Sequence, residues 1–301
     1  MHIPATMLGG AVCPVTIAVG VAGGAAALYF ASKQEEKPTV GKFATVTSLI
    51  FAMQMLNFTV QNGTSGHLLG GMLAVSLLGV PYAMLSVALV LAVQAVFFGD
   101  GGVNALGANV LNMAFIGTAG AGFLLELLKK KGVHQTVSLA VACWTSVVLA
   151  ALATAVEVAL SGAVEFGKVI PAMVSVHALI GIGEAVLTVA VVALVSKVAE
   201  AWQEKERAVT LASFGLAIIA AMLSPFASSF PDGLEWVAGK LSFAEFQGFE
   251  FPALFPDYQA TFISNAAFST ILAGLIGVGI ISVSIIVAGR LLKGAFGSMK
   301  N

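Results

Sequence analysis

Two histidines and the first amino group of the chain carry the chemistry that can be read from this sequence. Met1-His2 offers three nitrogens in succession: the α-amine, the His2 backbone amide once deprotonated, and Nδ1 of the His2 ring. They would close fused chelate rings in one plane. A histidine at position 3 would let the tail fill all four corners of a square; at position 2 it fills three, so the fourth must come from the fold, which ties metal binding to protein shape. A tetragonal nitrogen set suits Ni(II) or Cu(II) better than Zn(II) or Mg(II). The fourth corner is expected from His67, in the turn-rich loop Gln61-Asn62-Gly63-Thr64-Ser65-Gly66-His67. Gly63 and Gly66 permit close backbone approach, and Thr64 or Ser65 is expected to cap a helix starting near His67.

The elements that must bring these residues together are membrane helices. The 301 residues are 58% hydrophobic and only 10% charged, against roughly a quarter charged in a soluble domain. Apolar runs of about 20 residues predict an all-α, polytopic bundle. Nine spans are expected, over about 7–32, 43–61, 66–79, 81–98, 104–128, 135–160, 169–196, 208–229 and 263–289. The third is short for a bilayer core. With the N-terminus outside and the C-terminus cytoplasmic, Lys33, Lys37, Lys42, Lys129, Lys130, Lys131, Lys197, Lys205, Arg207, Arg290, Lys293 and Lys300 all lie inside; only Lys168 and Lys240 lie outside. Merging spans three and four would violate the positive-inside pattern. Two crossings then separate Met1 from His67, so both face outward, whereas His134 falls on the cytoplasmic side. No basic n-region precedes the first apolar run, so cleavage of a leader is not expected.

Other patterns exclude activities. No GxxxxGK[ST] is present, so no nucleotide is expected to bind, and neither HExxH nor GxSxG suggests an enzyme. Net charge is −1, which offers nothing to nucleic acid. Cys13 and Cys143 lie apart in apolar runs and read as small hydrophobes. His177 and Glu184, about 12 and 22 Å along span seven, are costly in a bilayer; they read as a polar pair between helices or as a proton relay. Asn57, Asn109 and Asn112 read as buried amides that glue helices or support the His67 loop, and small residues from Gly20 to Ala26 allow close helix approach.

The chain resembles the NikM/CbiM substrate-binding (S) components of energy-coupling factor (ECF) transporters for nickel and cobalt. The resemblance rests on Met1-His2-Ile3-Pro4, Asn57-Phe58, Gly63-Thr64-Ser65-Gly66-His67-Leu68-Leu69-Gly70-Gly71, Phe98-Gly99-Asp100-Gly101-Gly102, Leu106-Gly107-Ala108-Asn109, and the run from His177 to Ala185. It implies a seven-helix metal-binding unit over 1–200, with Ni(II) as transported substrate, or Co(II), held by Met1, His2 and His67. Asn57, Ser65 and His177 are expected around those ligands. Residues 201–301, with Pro231-Asp232-Gly233-Leu234-Glu235, resemble the NikN component and imply two further spans around an outer loop. Members often continue Asp-Gly after the proline; Ala5-Thr6 stands here and removes a carboxylate. The resemblance also implies a transmembrane T component and two cytoplasmic ATPases as partners, in a prokaryotic cytoplasmic membrane. The processing it demands is loss of any formyl group with retention of Met1. The alternatives are a cobalt-specific S component, or a stand-alone proton-coupled transporter using His177 and Glu184.

Overall fold

The computed structural model describes residues 1–243, 245, 246 and 251–296; Lys300, counted above among the inner-face charges, lies outside them. Among the described residues, seven helices are long and apolar enough to cross a membrane. They are α1 (Val12–Ser32), α4 (Val80–Phe98), α5 (Leu106–Lys130), α6 (Gln135–Leu160), α7 (Phe166–Glu200), α8 (Lys205–Phe226) and α10, which spans Ala266–Leu291 in its apolar part. Two shorter helices stand where two more spans were expected: α2 (Val40–Gln54) and α3 (Gly71–Leu78). A further short helix, α9 (Gly233–Leu241), lies between α8 and α10.

Long uninterrupted apolar runs explain the helices, because a buried span must satisfy its backbone internally. α6 lies along α7, α2 lies between α8 and α10, and α1 leans on α4 and α5. Two apolar clusters result. One joins α2, α3, α4, α8 and α10 around Phe51, Met72 and Ile281. The other joins the N-terminal tail to α5, α6, α7 and α9 and contains Met1, Ile3, Leu8, Met173, Leu234 and Val237.

The expected helix start near His67 is not where the chain folds one. Ser65–Gly66 (β2) pairs antiparallel with Phe58–Thr59 (β1), and α3 begins only after Gly70, whose φ of 75° lies in the left-handed region. Residues His67 to Gly70 are non-helical yet buried. Their polar groups find partners elsewhere: both Glu184 carboxylate oxygens accept, from Leu69 N at 2.6 Å and Gly70 N at 3.1 Å. Gln54 Nε2 donates to Leu69 O at 2.7 Å. Tertiary satisfaction of a broken helix has overridden the apolar pattern, the usual condition for irregular backbone at membrane depth. Glu184 is thus a fixed cap on this stretch, and it does not pair with His177.

Two stretches of α4 and α5 are wound as π-helix, Gln94–Phe98 and Val110–Gly120. Such insertions re-aim side chains and recur at functional sites. Here one starts at Gln94 and the other directly follows Asn109; both residues reach the site.

Candidate metal centre

The tail is drawn inward. Met1 is 4% exposed, Ile3 is fully buried and His2 is 9% exposed. Asn109 holds it in place: its side-chain oxygen accepts from Ile3 N at 2.8 Å, and its amide nitrogen donates to Ile3 O at 3.1 Å and Gly101 O at 3.0 Å. Gly101, at φ 83°, must be glycine, since a Cβ there would meet Asn109 Nδ2 at 2.7 Å and His2 Cβ at 3.1 Å. The Gly99-Asp100-Gly101-Gly102 turn is therefore a seat shaped for the tail.

Met1, His2 and His67 are brought together as expected. The Met1 amino nitrogen lies 2.6 Å from His67 Nε2, and the His2 and His67 rings stack with centroids 5.0 Å apart. His67 Nδ1 faces Leu68 O at 3.1 Å; a carbonyl only accepts, so Nδ1 carries the proton and Nε2 the lone pair. His2 Nε2 faces Gln94 Oε1 at 3.0 Å, so by the same reasoning Nε2 donates and Nδ1 keeps its lone pair. Outer partners of this kind set the tautomer of ligating histidines. Burial lowers the pKa of His2, outweighing the attraction of Asp100 and Asp232. Burial first, then the Met1 ammonium and His2, lower that of His67 well below the usual value. Both rings are held neutral, the form a metal needs.

Four residues that the sequence reading had not assigned to the site surround it. The Asp232 carboxylate accepts from the Met1 ammonium through Oδ2, and the same oxygen lies 4.0 Å from His67 Nε2. Burial alone would raise the Asp232 carboxyl, but the Met1 ammonium and His67 beside it hold it well below the carboxylate range. Asp100 Oδ1 lies 3.3 Å from His2 Nδ1. Tyr258 donates to Asp100 Oδ2 at 2.6 Å; burial and that carboxylate push its hydroxyl well above the ordinary tyrosine pKa. Gln94, through His2, is the fourth.

Asp232 and Tyr258 come from the C-terminal third, which walls the site. Asp232 also caps α9, accepting from Leu234 N and Glu235 N, while Glu235 accepts from Asp232 N. Ser65 N and Oγ donate to Pro231 O and Phe230 O, at 2.9 and 2.7 Å, so Ser65 anchors this wall instead of touching the ligands. Asn57 does likewise: its carbonyl accepts from Ser228 N at 2.8 Å. Phe246 N donates to Thr6 O at 2.8 Å. Asp232 and Asp100 place two carboxylates beside the tail, on Met1 and His2. The motif Pro-Asp-Gly-Leu-Glu was visible in the sequence, but nothing in it told that its acid meets residue 1.

Among the described residues no three His, Cys, Asp or Glu side chains are grouped to hold a metal ion. Asn112, by contrast, donates to Glu157 Oε2 at 2.6 Å and Thr154 Oγ1 at 3.2 Å, away from the ligands, and Cys13 and Cys143 are free thiols.

Comparison with known proteins agrees with this architecture. Residues 2–202 match the family described as CbiM, cobalt uptake substrate-specific transmembrane region, and residues 207–294 match the PDGLE domain. The chain is 35% identical over 250 residues to a putative fused nickel transport protein NikMN of Archaeoglobus fulgidus, covering 79% of this chain and 82% of that one. It is 32% identical over 292 residues to a probable fused nickel transport protein LarMN of Lactiplantibacillus plantarum, covering 86% and 88%. A crystal structure of a transition metal transporter superposes with a TM-score of 0.60 at 33% identity, over 66% of this chain and 94% of that chain. The chain is a multi-pass membrane protein, a nickel/cobalt transport component and not an enzyme. It belongs to the CbiM family and carries a PDGLE domain after the CbiM region.

Proposed function

We propose that this chain is the substrate-binding component of an ECF-type importer and captures Ni(II) from outside through four nitrogens: the Met1 amine, the deprotonated His2 amide, His2 Nδ1 and His67 Nε2. The observation that carries this reading is the 2.6 Å separation of Met1 N and His67 Nε2. Metal–nitrogen bonds of about 2.0 Å would put neighbouring corners of a square about 2.8 Å apart, so little movement is needed for an ion to replace the shared proton. His2 Nδ1 lies 3.3 Å from Asp100 Oδ1, and its ring stacks on that of His67. Co(II) is the second reading, favoured by the cobalt-uptake description of the matching family.

In this reading residues 1–200 form the metal-binding unit and 201–301 a NikN-like unit whose outer segment closes it. The N-terminus is outside and nine segments cross. Uptake needs a T component and two cytoplasmic ATPases, since the chain has no phosphate-binding loop. Glu184, with both oxygens committed to backbone amides, is poorly suited to relay protons.

The test is uptake of radioactive nickel, with cobalt in parallel, by cells expressing the chain alone or with T and ATPase subunits. Uptake that requires the partners and is lost when the ATPases are inactivated supports the proposal. Gradient-driven uptake by this chain alone refutes it, and preference for cobalt selects the second reading.

A further inference from the structure

Beside the ligand set sits a second imidazole that the set does not use. His177, in α7, is 1% exposed. Its Nδ1 faces Met173 O at 2.8 Å, so Nδ1 carries the proton and Nε2 a lone pair. That Nε2 is buried and has no hydrogen-bond partner among the described residues. It borders a cavity of about 10 Å³ lined by Met1, His67, Leu69, His177 and Gly233, among others. Such a space holds one water or one ion. Gly233 keeps the approach open: a Cβ there would stand 2.9 Å from His177 Nε2.

A buried lone pair without a partner is a standing cost, and its place explains what could be gained. A square four-nitrogen set leaves both faces of the ion open. Square d8 ions exchange ligands chiefly when a donor attacks one of those faces, so a tightly chelated cargo leaves quickly only if such a donor is at hand. The lone pairs of His67 and His177 border one cavity, together with Met1.

We propose that His177 Nε2 is the entering ligand that takes the ion off the terminal chelate, making the cavity a transient second station shared with His67 and Met1. The inference rests on the chelate reading above. In the step, the His177 Nε2 lone pair forms a bond to the ion from the open face, giving five-coordination. The bond to His2 Nδ1 then breaks, and its electron pair returns to that nitrogen. No electron leaves the metal, which stays divalent; the swap of His2 Nδ1 for His177 Nε2 needs no proton, and the remaining bond to the His2 amide nitrogen breaks when that nitrogen takes back a proton from water, its electron pair going to the new N–H bond. His177 is thereby given a role in release distinct from the support of a ligand expected from the sequence.

The experiment uses the full chain, purified in detergent and loaded with Ni(II). Loss of its visible absorption band is timed after adding chelator at concentrations where the rate no longer depends on chelator. His177→Gln removes the imidazole, and Gly233→Ala crowds Nε2 while leaving the imidazole in place. Both are expected to show the square-planar band and to release Ni(II) at least tenfold more slowly, with free imidazole restoring the rate in His177→Gly. Native release rates in whichever of the first two variants fold would overturn the inference and assign the cavity to a water alone. Absence of a square-planar band from the native protein would overturn the chelate reading, and this one with it; a band with unchanged release overturns this one alone.

Discussion

The first eight residues and the helix that follows them reverse the usual order of burial. Chain ends are ordinarily loose and exposed, yet Met1, Ile3, Ala5 and Leu8 are all buried. α1, which starts four residues later, exposes Val21 at 70% and Leu28 at 60%. The helix can afford this because lipid, unlike water, welcomes an apolar surface. The tail cannot be explained that way. It is held by polar contacts, Asn109 on the backbone of Ile3, Asp232 on the Met1 ammonium and Gln94 on His2. Each would be expensive to leave unmade once buried. Burial in the tail serves chemistry, and exposure in α1 serves the membrane.

Substitutions should separate the two regions. The largest effect is expected from His67→Ala, which removes a corner of the square: nickel affinity, measured by isothermal titration, should fall at least 100-fold. Asn109→Leu should come next, because it leaves Ile3 N and two carbonyls without partners. At about 1–3 kcal/mol for an unsatisfied buried group, it should lower the thermal midpoint of the metal-free protein and weaken nickel binding at least tenfold. Asp232→Asn leaves the buried Met1 ammonium uncompensated, a loss of about 3 kcal/mol on the scale of broken buried pairs; chemical denaturation of the metal-free chain would report it. At the other extreme, Val21→Ala on the exposed face of α1 should change stability by less than about 0.5 kcal/mol. A tail as tolerant as α1 would remove the distinction.

Acid sharpens the same contrast. His2 and His67 have pKa values depressed in the fold, so the unfolded chain binds more protons than the native one as pH falls through the ordinary histidine range near 6.5. Their neutral burial therefore costs stability progressively below that pH and costs nothing above it. The Asp232 carboxyl is also depressed, so acid destabilises through it with the same sign but in a lower window: its stabilising contribution is complete above the ordinary aspartate value and is lost as pH falls toward the lowered one. Because the imidazoles are already neutral near pH 7, metal binding should release about two protons, from the Met1 ammonium and the His2 amide. The logarithm of nickel affinity should then rise by about two for each pH unit between roughly 6.5 and 7.5. A slope near one would mean that the amide keeps its proton.

The parts legible in sequence were those set by local spacing. The chelate reading rests on covalent connectivity, and the nearness of His67 to Met1 was expected from counting apolar runs against lysines. The long helices were equally plain, because nothing competes with an apolar run in lipid. What stayed hidden depends on distant pairs. Asp232 is separated from Met1 by 231 positions and Tyr258 from Asp100 by 158, and no local pattern encodes either contact. The late start of α3 was hidden for the same reason, since Glu184 satisfies the amides of Leu69 and Gly70 from another helix. His177 and Glu184, seven residues apart, looked like partners on one face, but Glu184 accepts from Leu69 N and Gly70 N while His177 bonds through Nδ1 to Met173 O and keeps Nε2 unpaired among the described residues.

The claim that matters most is that the first nitrogen of the chain is a metal ligand. It is tested by titrating the purified chain with Ni(II) in detergent, followed by visible absorption, alongside a version with one extra residue ahead of Met1, both termini being verified by mass spectrometry. The extension keeps every side chain and converts the amine to an amide. The account predicts a one-to-one square-planar band for the native terminus and its loss in the extended chain. Equal binding with the same spectrum in both would contradict it.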